Sequence, residues 1–253
     1  MIHLDENRYE YMEEVNEGIL RNIPKNTSTD RMLVLDVGCG TGALSEAIKK
    51  RGYVTCGIES NEKASVLAAS RVDKVLCIDL QRVEDIISQL GPARFDMIVF
   101  SDVLEHLYNP LLVVNRYKPL LKKGGLFIIS VPNAVVWTQR LKILFGIFGY
   151  ADTGVVDRTH IRFFTFRTAK LLLKTAGFEV IRTDYTPFII RSLLPIIKRL
   201  LIPDKRSLDT SRRQLIDSPF YRFYMQYVYP LEYYAGWVFK RFFAFRIILV
   251  GRL

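Results

Sequence analysis

Short apolar runs alternate with amphipathic helical segments through the central part of the chain. Five runs have the continuous apolar character of buried strands, in chain order MLVLDV, YVTCGI, KVLCI, FDMIVF and LFIISV. Helical segments are predicted to begin near Ala43, Asn61, Val83 and Pro110. Strands that are apolar on both faces and are separated by helices form a parallel sheet with helices on both sides. The pattern therefore predicts a doubly wound α/β fold.

Further elements are predicted on either side of this central region. A helix is expected over residues 5–20, where apolar positions recur at helical spacing. A second helix is expected over residues 166–176, with Gly177 as its C-terminal stop. Two strands are then predicted, over residues 178–185 and over residues 245–252. The long segment between these two strands is predicted to be an insertion.

The insertion, residues 187–243, carries more than half of the chain's net positive charge. It holds 10 Lys and Arg against 4 Asp and Glu, which is +6 of the net +10. Its aromatic residues and five prolines predict several short helices. Basic and aromatic side chains together suit an anionic membrane surface or, by stacking, a single-stranded nucleic acid. A third interpretation is that the aromatic residues are simply core, and the sequence leaves all three open.

Composition narrows the class of protein. With 253 residues, 25% of them charged, the chain is neither disordered nor a disulfide scaffold. Its three cysteines contain no CxxC pair, which predicts reduced thiols and argues against a zinc site. The N-terminal residues lack the pattern of a signal peptide, and no long uninterrupted apolar run is present. We expect a cytoplasmic protein, with a peripheral position on the inner face of the membrane if the insertion binds lipid.

The sequence LDVGCGTGALSEAI follows the first strand and opens the first helix. Gly38, Gly40 and Gly42 allow a sharp turn and a close approach of the backbone to a ligand. Glu59, 21 residues after Gly38, is placed to bind a ribose. The same pattern fits a dinucleotide site. Asp36 helps to choose between a dinucleotide and a cationic ligand. A carboxylate repels a pyrophosphate and attracts an ammonium or a sulfonium group. The charges favour S-adenosylmethionine.

On these residues the chain resembles the class I S-adenosylmethionine-dependent methyltransferases. The motifs VLDVGCGTG, CIDL, FDMIVFSDVLEHL and LLKKGGLFIISVPN lie in the order that the family has. The resemblance implies a Rossmann-like seven-stranded sheet with an antiparallel final strand and the insertion between strands six and seven. It divides the chain into an N-terminal helix over the cofactor site (1–30), a methyltransferase domain (31–186 and 244–253) and the insertion.

The same resemblance implies a set of cofactor contacts. The loop after the first strand would hold the methionine part, the residues after the second and third strands the ribose and adenine, and those after the fourth the methyl end. The implied cofactor-binding residues are Asp36, Gly38, Gly40, Gly42, Glu59, Ser60, Asp79, Leu80, Ser101 and Asp102.

Two histidines are candidates for the base that takes a proton from an alcohol acceptor, His160 and His106. Around His160, the sequence DRTHIR offers Asp157 to orient the imidazole and Arg158 and Arg162 to bind a phosphate or carboxylate of the substrate. Structural roles for both histidines remain open.

The acceptor is less readable than the cofactor. The DRTHIRFFT segment resembles methyltransferases of surface-glycan assembly, which implies O-methylation of a sugar or a lipid-linked glycan. Quinone-biosynthesis O-methyltransferases have a similar acidic-x-x-Glu-His cluster, here Asp102, Glu105 and His106, which can hold a divalent cation. The alternatives are therefore a quinone or prenylated-phenol methyltransferase, and a non-catalytic module that binds the cofactor or a membrane. Nucleic acid is not favoured as a partner, and the oligomeric state is not readable.

Overall fold

The computed structural model describes residues 15–91, 94–190, 192 and 222–253. Its centre is a seven-stranded sheet with the strand order β3-β2-β1-β4-β5-β7-β6. The first five strands run parallel to one another, and β7 lies antiparallel between β5 and β6. The predicted fold, including the antiparallel final strand, is confirmed. The strands are β1 (Leu33–Val37), β2 (Val54–Glu59), β3 (Lys74–Cys77), β4 (Phe95–Ser101), β5 (Leu121–Pro132), β6 (Glu179–Pro187) and β7 (Ala244–Arg252).

Polar side chains fix where several of the helices begin. The side chains of Asn61, Asn109 and Thr165 each accept a hydrogen bond from a backbone N–H of the first turn that follows. Gly177 has a φ of 84°, as the predicted helix stop requires. The helices are α1 (Glu17–Arg21), α2 (Ala43–Lys49), α3 (Glu62–Ala68), α4 (Val83–Leu90), α5 (Pro110–Tyr117), α6 (Trp137–Leu144), α7 (Phe166–Thr175), α8 (Tyr229–Gly236) and α9 (Lys240–Phe243).

Two elements differ from their predicted bounds. The helix expected over residues 5–20 begins, in its described part, only at Glu17, because the Asn16 side chain caps it by accepting from the Ile19 N–H at 3.3 Å. Residues 1–14 lie outside the described part of the chain. Strand β5 starts at Leu121, five residues before the apolar run, because Leu121 pairs with Phe95 ahead of an irregularity in the register.

The sheet separates two apolar clusters, one on each face. Successive residues of β4 alternate between them, since Met97 and Val99 join the cluster under α1 and α2, whereas Ile98 and Phe100 join the larger cluster under α4, α5 and α7. Both faces of the central strands are thus buried, which explains their unbroken apolar sequence.

The described part of the predicted insertion is partly core. It contains a π-helical turn (Tyr224–Val228) followed by α8 and α9, whereas residues 193–221 lie outside the described part. Arg21 of α1 anchors it: its Nη1 donates to the Tyr229 hydroxyl at 2.9 Å, and its guanidinium lies 4.4 Å from the Tyr233 ring centroid. Packing therefore accounts for some of these aromatic residues. Within the described ranges, no helix has the length and apolarity that crossing a bilayer requires.

Candidate active site

The predicted cofactor-binding residues lie on loops at one edge of the sheet. Strands β3, β2, β1 and β4 are neighbours in that order and run parallel, so their carboxyl ends share an edge. The glycine loop, Glu59, Asp79 and Asp102 each follow one of these ends. Ligands of open α/β sheets bind at this edge. The fold therefore brings together residues that are separated by up to 66 positions in the sequence.

Two glycines of the loop are required by packing as well as by the turn. Gly38 has a φ of 75°, and a Cβ there would lie 2.6 Å from the Val103 side chain. Gly42 has a φ of 82° at the start of α2, where a Cβ would lie 3.1 Å from the Ala68 backbone. The left-handed conformation and the close contacts both exclude larger residues. The glycines thus hold the loop against the segments that follow β2 and β4.

Glu59 joins two of the loops. Its Oε2 accepts from the Gly40 N–H at 2.9 Å, and its Oε1 accepts from the Asn61 N–H at 2.8 Å. The side chain is buried. Since each carboxylate oxygen can accept more than one hydrogen bond, this arrangement fits the predicted contact with a pair of ribose hydroxyls.

Asp36 is buried beneath the glycine loop, with one oxygen satisfied. Its Oδ2 accepts from the Ser45 hydroxyl at 2.6 Å, whereas its Oδ1 has no hydrogen-bond partner. Burial raises the pKa of Asp36 to about 6, the Ser45 hydrogen bond opposes the rise, and the charge of Glu59 adds to it. A buried carboxylate oxygen without a partner fits a cationic donor such as the ammonium group of S-adenosylmethionine.

Asp79, Leu80 and Ser60, which were also predicted to contact the cofactor, are more exposed than Glu59. Asp79 is exposed, and its Oδ1 accepts from the Gln81 N–H at 2.8 Å. The Leu80 carbonyl accepts from the Tyr117 hydroxyl at 2.8 Å. Ser60 is also exposed. Their contacts with a cofactor stay predictions.

Asp102 lies in a polar network that the sequence did not predict. Its Oδ1 accepts from the Ser130 hydroxyl at 2.8 Å, and its Oδ2 accepts from Arg246 Nε at 2.7 Å. Asn16 Nδ2 donates to Ser130 Oγ at 2.8 Å and reaches Ser101 Oγ at 3.2 Å. In the sequence, Ser130 and Arg246 are only polar positions within the apolar runs of β5 and β7, and Asn16 is only a polar position inside the helix predicted over residues 5–20.

Two histidines and a glutamate meet next to this network. His106 ends a 3-10 turn over Leu104–His106, and its ring centroid lies 4.8 Å from that of His160. His106 Nδ1 is 3.2 Å from the Thr159 carbonyl, and His160 Nδ1 is 3.0 Å from the Val155 carbonyl. Because a carbonyl only accepts, both Nδ1 atoms carry hydrogens, and both Nε2 atoms keep a lone pair when the rings are neutral.

The prediction that the Asp157 side chain orients the His160 imidazole is wrong, because His160 Nδ1 lies at the Val155 carbonyl. Asp157 Oδ1 instead accepts from the backbone N–H and the hydroxyl of Thr159, at 2.8 and 2.7 Å. The sharp turn that this creates presents the Val155 carbonyl to the imidazole. A backbone carbonyl therefore orients His160.

Glu105 is buried with both carboxyl oxygens lacking hydrogen-bond partners. Its Oε1 lies 3.9 Å from His160 Nε2, within ion-pair range but too far for a hydrogen bond. Burial chiefly, and then the charge of Asp102, raise the pKa of Glu105 well above its usual value. Burial and then the neighbouring His160 lower the pKa of His106. These shifts favour a neutral Glu105 carboxyl group and a neutral His106 imidazole at pH 7.

The cluster can also hold a divalent cation. Ligand atoms of Glu105, His106 and His160 all lie within 4.8 Å of one another. Two imidazoles and a carboxylate are a common ligand set for transition metals. The sequence had suggested Asp102 as the third ligand. The structure pairs Asp102 with Arg246 and supplies His160 in its place.

The two arginines predicted to bind the substrate have protein partners in this structure. Arg158 Nε is 3.1 Å from Asp152 Oδ1, and Arg162 Nε donates to the Tyr108 carbonyl at 3.0 Å. Both side chains are exposed. The Arg162 contact ties the segment that carries His160 to the one that carries His106. Substrate binding by either arginine stays a prediction.

The sheet order and the edge built from these loops define a class I S-adenosylmethionine-dependent methyltransferase. Residues 4–183 match a family described as a methyltransferase domain, and the chain belongs to that family. The predicted class and its cofactor are confirmed at this level.

Known proteins agree with this assignment. The chain is 34% identical over 117 residues to the ubiquinone biosynthesis O-methyltransferase of Glaesserella parasuis, a match that covers 44% of this chain. The chain spans about half (50%) of the length of this relative and of its Xylella fastidiosa counterpart. Among solved structures, a SAM-dependent methyltransferase from Archaeoglobus fulgidus has a TM-score of 0.58 at 18% identity, covering 93% of this chain and 91% of that one. Such a likeness shows the fold.

Proposed function

We propose that the protein transfers a methyl group from S-adenosylmethionine to the hydroxyl oxygen of a phenol that carries a prenyl chain. The observation that carries the proposal is the pair of imidazoles, His106 and His160, next to the loop of Asp102. The names of the curated relatives favour a phenolic acceptor. The glycan acceptor that the sequence first suggested receives no support from them.

Cofactor binding rests on the buried acids. Bound S-adenosylmethionine supplies an electrophilic methyl group on a positively charged sulfur. The unpartnered Oδ1 of Asp36 would accept from its ammonium group, and the carboxylate of Glu59 would accept from its ribose. Rigid alignment of the acceptor oxygen with the methyl group can contribute about 7 to 11 kcal/mol in favourable cases.

His106 is the imidazole that an acceptor can reach, since it is partly exposed whereas His160 is buried. Its Nδ1–H donates to the Thr159 carbonyl, so its Nε2 is free to take the phenol proton. The lowered pKa of His106 keeps it neutral near pH 7, which a general base requires. His160 supports the ring of His106 from behind and acts as a positioning residue.

Replacing His106 by Asn tests this role, because Asn keeps a donor for the Thr159 carbonyl and lacks Nε2. We expect kcat/KM to fall about 100- to 10,000-fold while cofactor affinity in calorimetry stays unchanged. Added imidazole should restore part of the rate. A variant that retains half of the wild-type kcat/KM excludes His106 as the base.

The acceptor is tested with radiolabelled methyl donor. A phenol with a short prenyl chain and a phosphorylated sugar are offered separately, and lipid, saccharide, protein and RNA fractions of a lysate are offered in parallel. Label in the phenol and in the lipid fraction is expected. Label confined to the sugar and saccharide fraction would favour the glycan acceptor. No label in any fraction, from a protein that binds the cofactor, would favour a non-catalytic module.

A second arrangement of the same cluster is a Lewis-acid cation site, favoured by the unpartnered oxygens of Glu105. Glu105, His106 and His160 would hold the cation. Dialysis against a chelator distinguishes the cation site from the general base. Activity that is lost and then restored by Mg²⁺, Mn²⁺ or Zn²⁺ would indicate a bound cation, whereas unchanged activity would indicate that His106 acts as a base. Glu105→Gln should abolish any metal-dependent part of the rate.

A further inference from the structure

An exposed apolar surface begins in α6, the helix that follows the carboxyl end of β5. Every residue of 141–150 is exposed, and seven of these ten are large apolar side chains. Leu144 and Phe145 expose 75% and 74% of their area. Soluble domains rarely leave so many neighbouring apolar side chains uncovered, and such patches usually mark an interaction site.

A second exposed apolar segment adjoins the first. Trp237, Val238, Phe239 and Phe242 are exposed in the turn between α8 and α9 and in α9 itself. The Arg140 guanidinium of α6 lies 5.5 Å from the Phe242 ring centroid, which joins the two segments. We call the exposed apolar side chains of 141–150 and 237–242 the aromatic surface. It is made of parts that are about 90 positions apart in the sequence.

Within residues 140–150 and 237–242, every charged side chain is basic. Arg140, Lys142 and Arg241 are exposed within it, and Lys240 Nζ lies 4.0 Å from the Trp237 ring centroid. The sequence contains no Asp or Glu between Glu105 and Asp152, and none after Glu232. Burial, followed by the charges of Lys240, Arg241 and Lys174, lowers the pKa of Lys170 on α7, which is the shift expected where several cations are close together.

From this geometry we propose that the aromatic surface docks the protein on an anionic lipid bilayer, with its apolar side chains at headgroup depth and its Lys and Arg on lipid phosphates. Tryptophan and other aromatic rings prefer the membrane interface, and cations there are attracted by anionic headgroups. An acidic protein partner would match the cations but would not require a projecting apolar segment.

The docked orientation places the histidine cluster at the bilayer. Val136 and Trp137, at the start of α6, pack against Val155 and Val156. The Val155 carbonyl in turn accepts from His160 Nδ1. An acceptor with a prenyl chain, as in the proposed function, would then reach the cluster without leaving the membrane. Docking itself does not depend on that function, since the surface needs neither cofactor nor acceptor.

Vesicle cosedimentation of the full chain, without cofactor or acceptor, tests the proposal. Vesicles of phosphatidylcholine with 30% phosphatidylglycerol are compared with pure phosphatidylcholine. We expect binding to the anionic vesicles at least tenfold tighter and weaker at high salt. Leu144→Ser with Phe145→Ser, and separately Lys142→Gln with Arg241→Gln, should each reduce it at least fivefold.

The matched control changes Val66 and Leu67 to Ser. Both are exposed apolar residues of α3, at 67% and 52%, and lie outside the aromatic surface. The control should bind like the wild type, and all variants should unfold at the same temperature because the changed side chains are exposed. Binding that is equal on both vesicle types, or unaffected by both surface variants, overturns the proposal. So does a dimer in solution that only the Leu144/Phe145 variant abolishes, because the surface would then be an interface between two copies.

The proposed function can fail independently of this result. A short-chain, water-soluble phenol should be methylated equally by the wild type and by the Leu144/Phe145 variant. If neither methylates it, the vesicle measurement still decides the docking proposal.

Discussion

Replacing Asp36 by Asn is expected to stabilise the cofactor-free protein at neutral pH and to weaken cofactor binding. The reason is the placement of Asp36, which is buried with one oxygen bound to Ser45 and the other without a partner. Burial and the nearby charge of Glu59 make its ionised form costly until a cation is present, although the Ser45 hydrogen bond offsets part of this cost.

The pKa of Asp36 fixes the size and the sign of the effect. A rise from 3.8 to about 6 corresponds to about 3 kcal/mol of lost stability once Asp36 is ionised in both states. Below pH ~4 the Asp36 carboxyl group is mostly protonated in both the folded and the unfolded state, so it takes little from the free energy of unfolding. As the pH rises from about 4 to about 6, the unfolded chain releases its proton first, so the free energy of unfolding falls; above that it stays constant. The amide that replaces Oδ1 also lacks a partner, which costs about 1 to 2 kcal/mol.

We therefore expect Asp36→Asn to raise the free energy of unfolding by about 1 to 2 kcal/mol at pH 7.5, or the Tm by about 2 to 8 °C, with no gain at pH 4. The dissociation constant for S-adenosylmethionine should rise about 10- to 100-fold, because a hydrogen bond between charged groups is lost. Urea unfolding between pH 4 and 8 and calorimetry measure the two effects.

Asp73→Asn is the matched control, at the opposite edge of the sheet. Burial acts to raise the pKa of Asp73, but hydrogen bonds from Lys49 and from Thr55 outweigh it and leave the pKa lowered. A lowered pKa stabilises the fold above the unfolded value, and this contribution is lost as the pH falls. The control should therefore lose stability at pH 7.5 and bind the cofactor normally. Parallel pH profiles for the wild type and Asp36→Asn, with equal cofactor affinity, would refute the reasoning.

Three further changes test single features of the site and its supports. Glu59→Gln should weaken cofactor binding about tenfold in calorimetry, since one of its two acceptor oxygens is lost; equal affinity would exclude Glu59 from the pocket. Gly42→Ala should lower the free energy of unfolding by about 1 to 3 kcal/mol in urea, and by more than Gly124→Ala, which has a similar φ but open space around it. Arg21→Ala should lower the free energy of unfolding by about 1 to 3 kcal/mol. It should also speed proteolytic cleavage within α8, because Arg21 binds the Tyr229 hydroxyl of that helix; unchanged cleavage would show that α8 is held in place without Arg21.

The cofactor edge was predictable because local sequence determines it. Continuous apolar strands require a parallel sheet, and a parallel sheet places every strand-to-helix loop at the same edge. The positive φ values of Gly38 and Gly42 follow from the turn that this connection needs. What the local sequence did not reveal is that their missing Cβ atoms leave room for Val103 and Ala68.

The acceptor side was less predictable because long-range packing determines it. His106 and His160 are separated by 54 positions, and their contact depends on the backbone bonds from Ile161 and Arg162 to the Glu105 carbonyl. No sequence pattern encodes those bonds. The insertion illustrates the same point, since Tyr224 is 1% exposed and Tyr234 is 74% exposed in one aromatic run. Composition indicates that such a segment has both buried and exposed aromatic residues, but it does not indicate which of them are buried.

Asp102 connects the two sides of the site. It has a φ of 54°, the only positive value among non-glycine residues of the described part, and such strain persists only where neighbours enforce it. Its neighbours come from three other elements, with Asn16 capping α1, Ser130 in β5 and Arg246 in β7. Burial chiefly, and then the charge of Asp102, raise the pKa of Glu105, so the network that holds the loop at the expected methyl end also favours the protonated form of this buried acid. Two carboxyl groups three residues apart thus have different environments, since Asp102 is paired with a guanidinium and Glu105 is buried without a hydrogen-bond partner. Environments that separate two acids in this way are typical of sites where the two have different roles in one reaction.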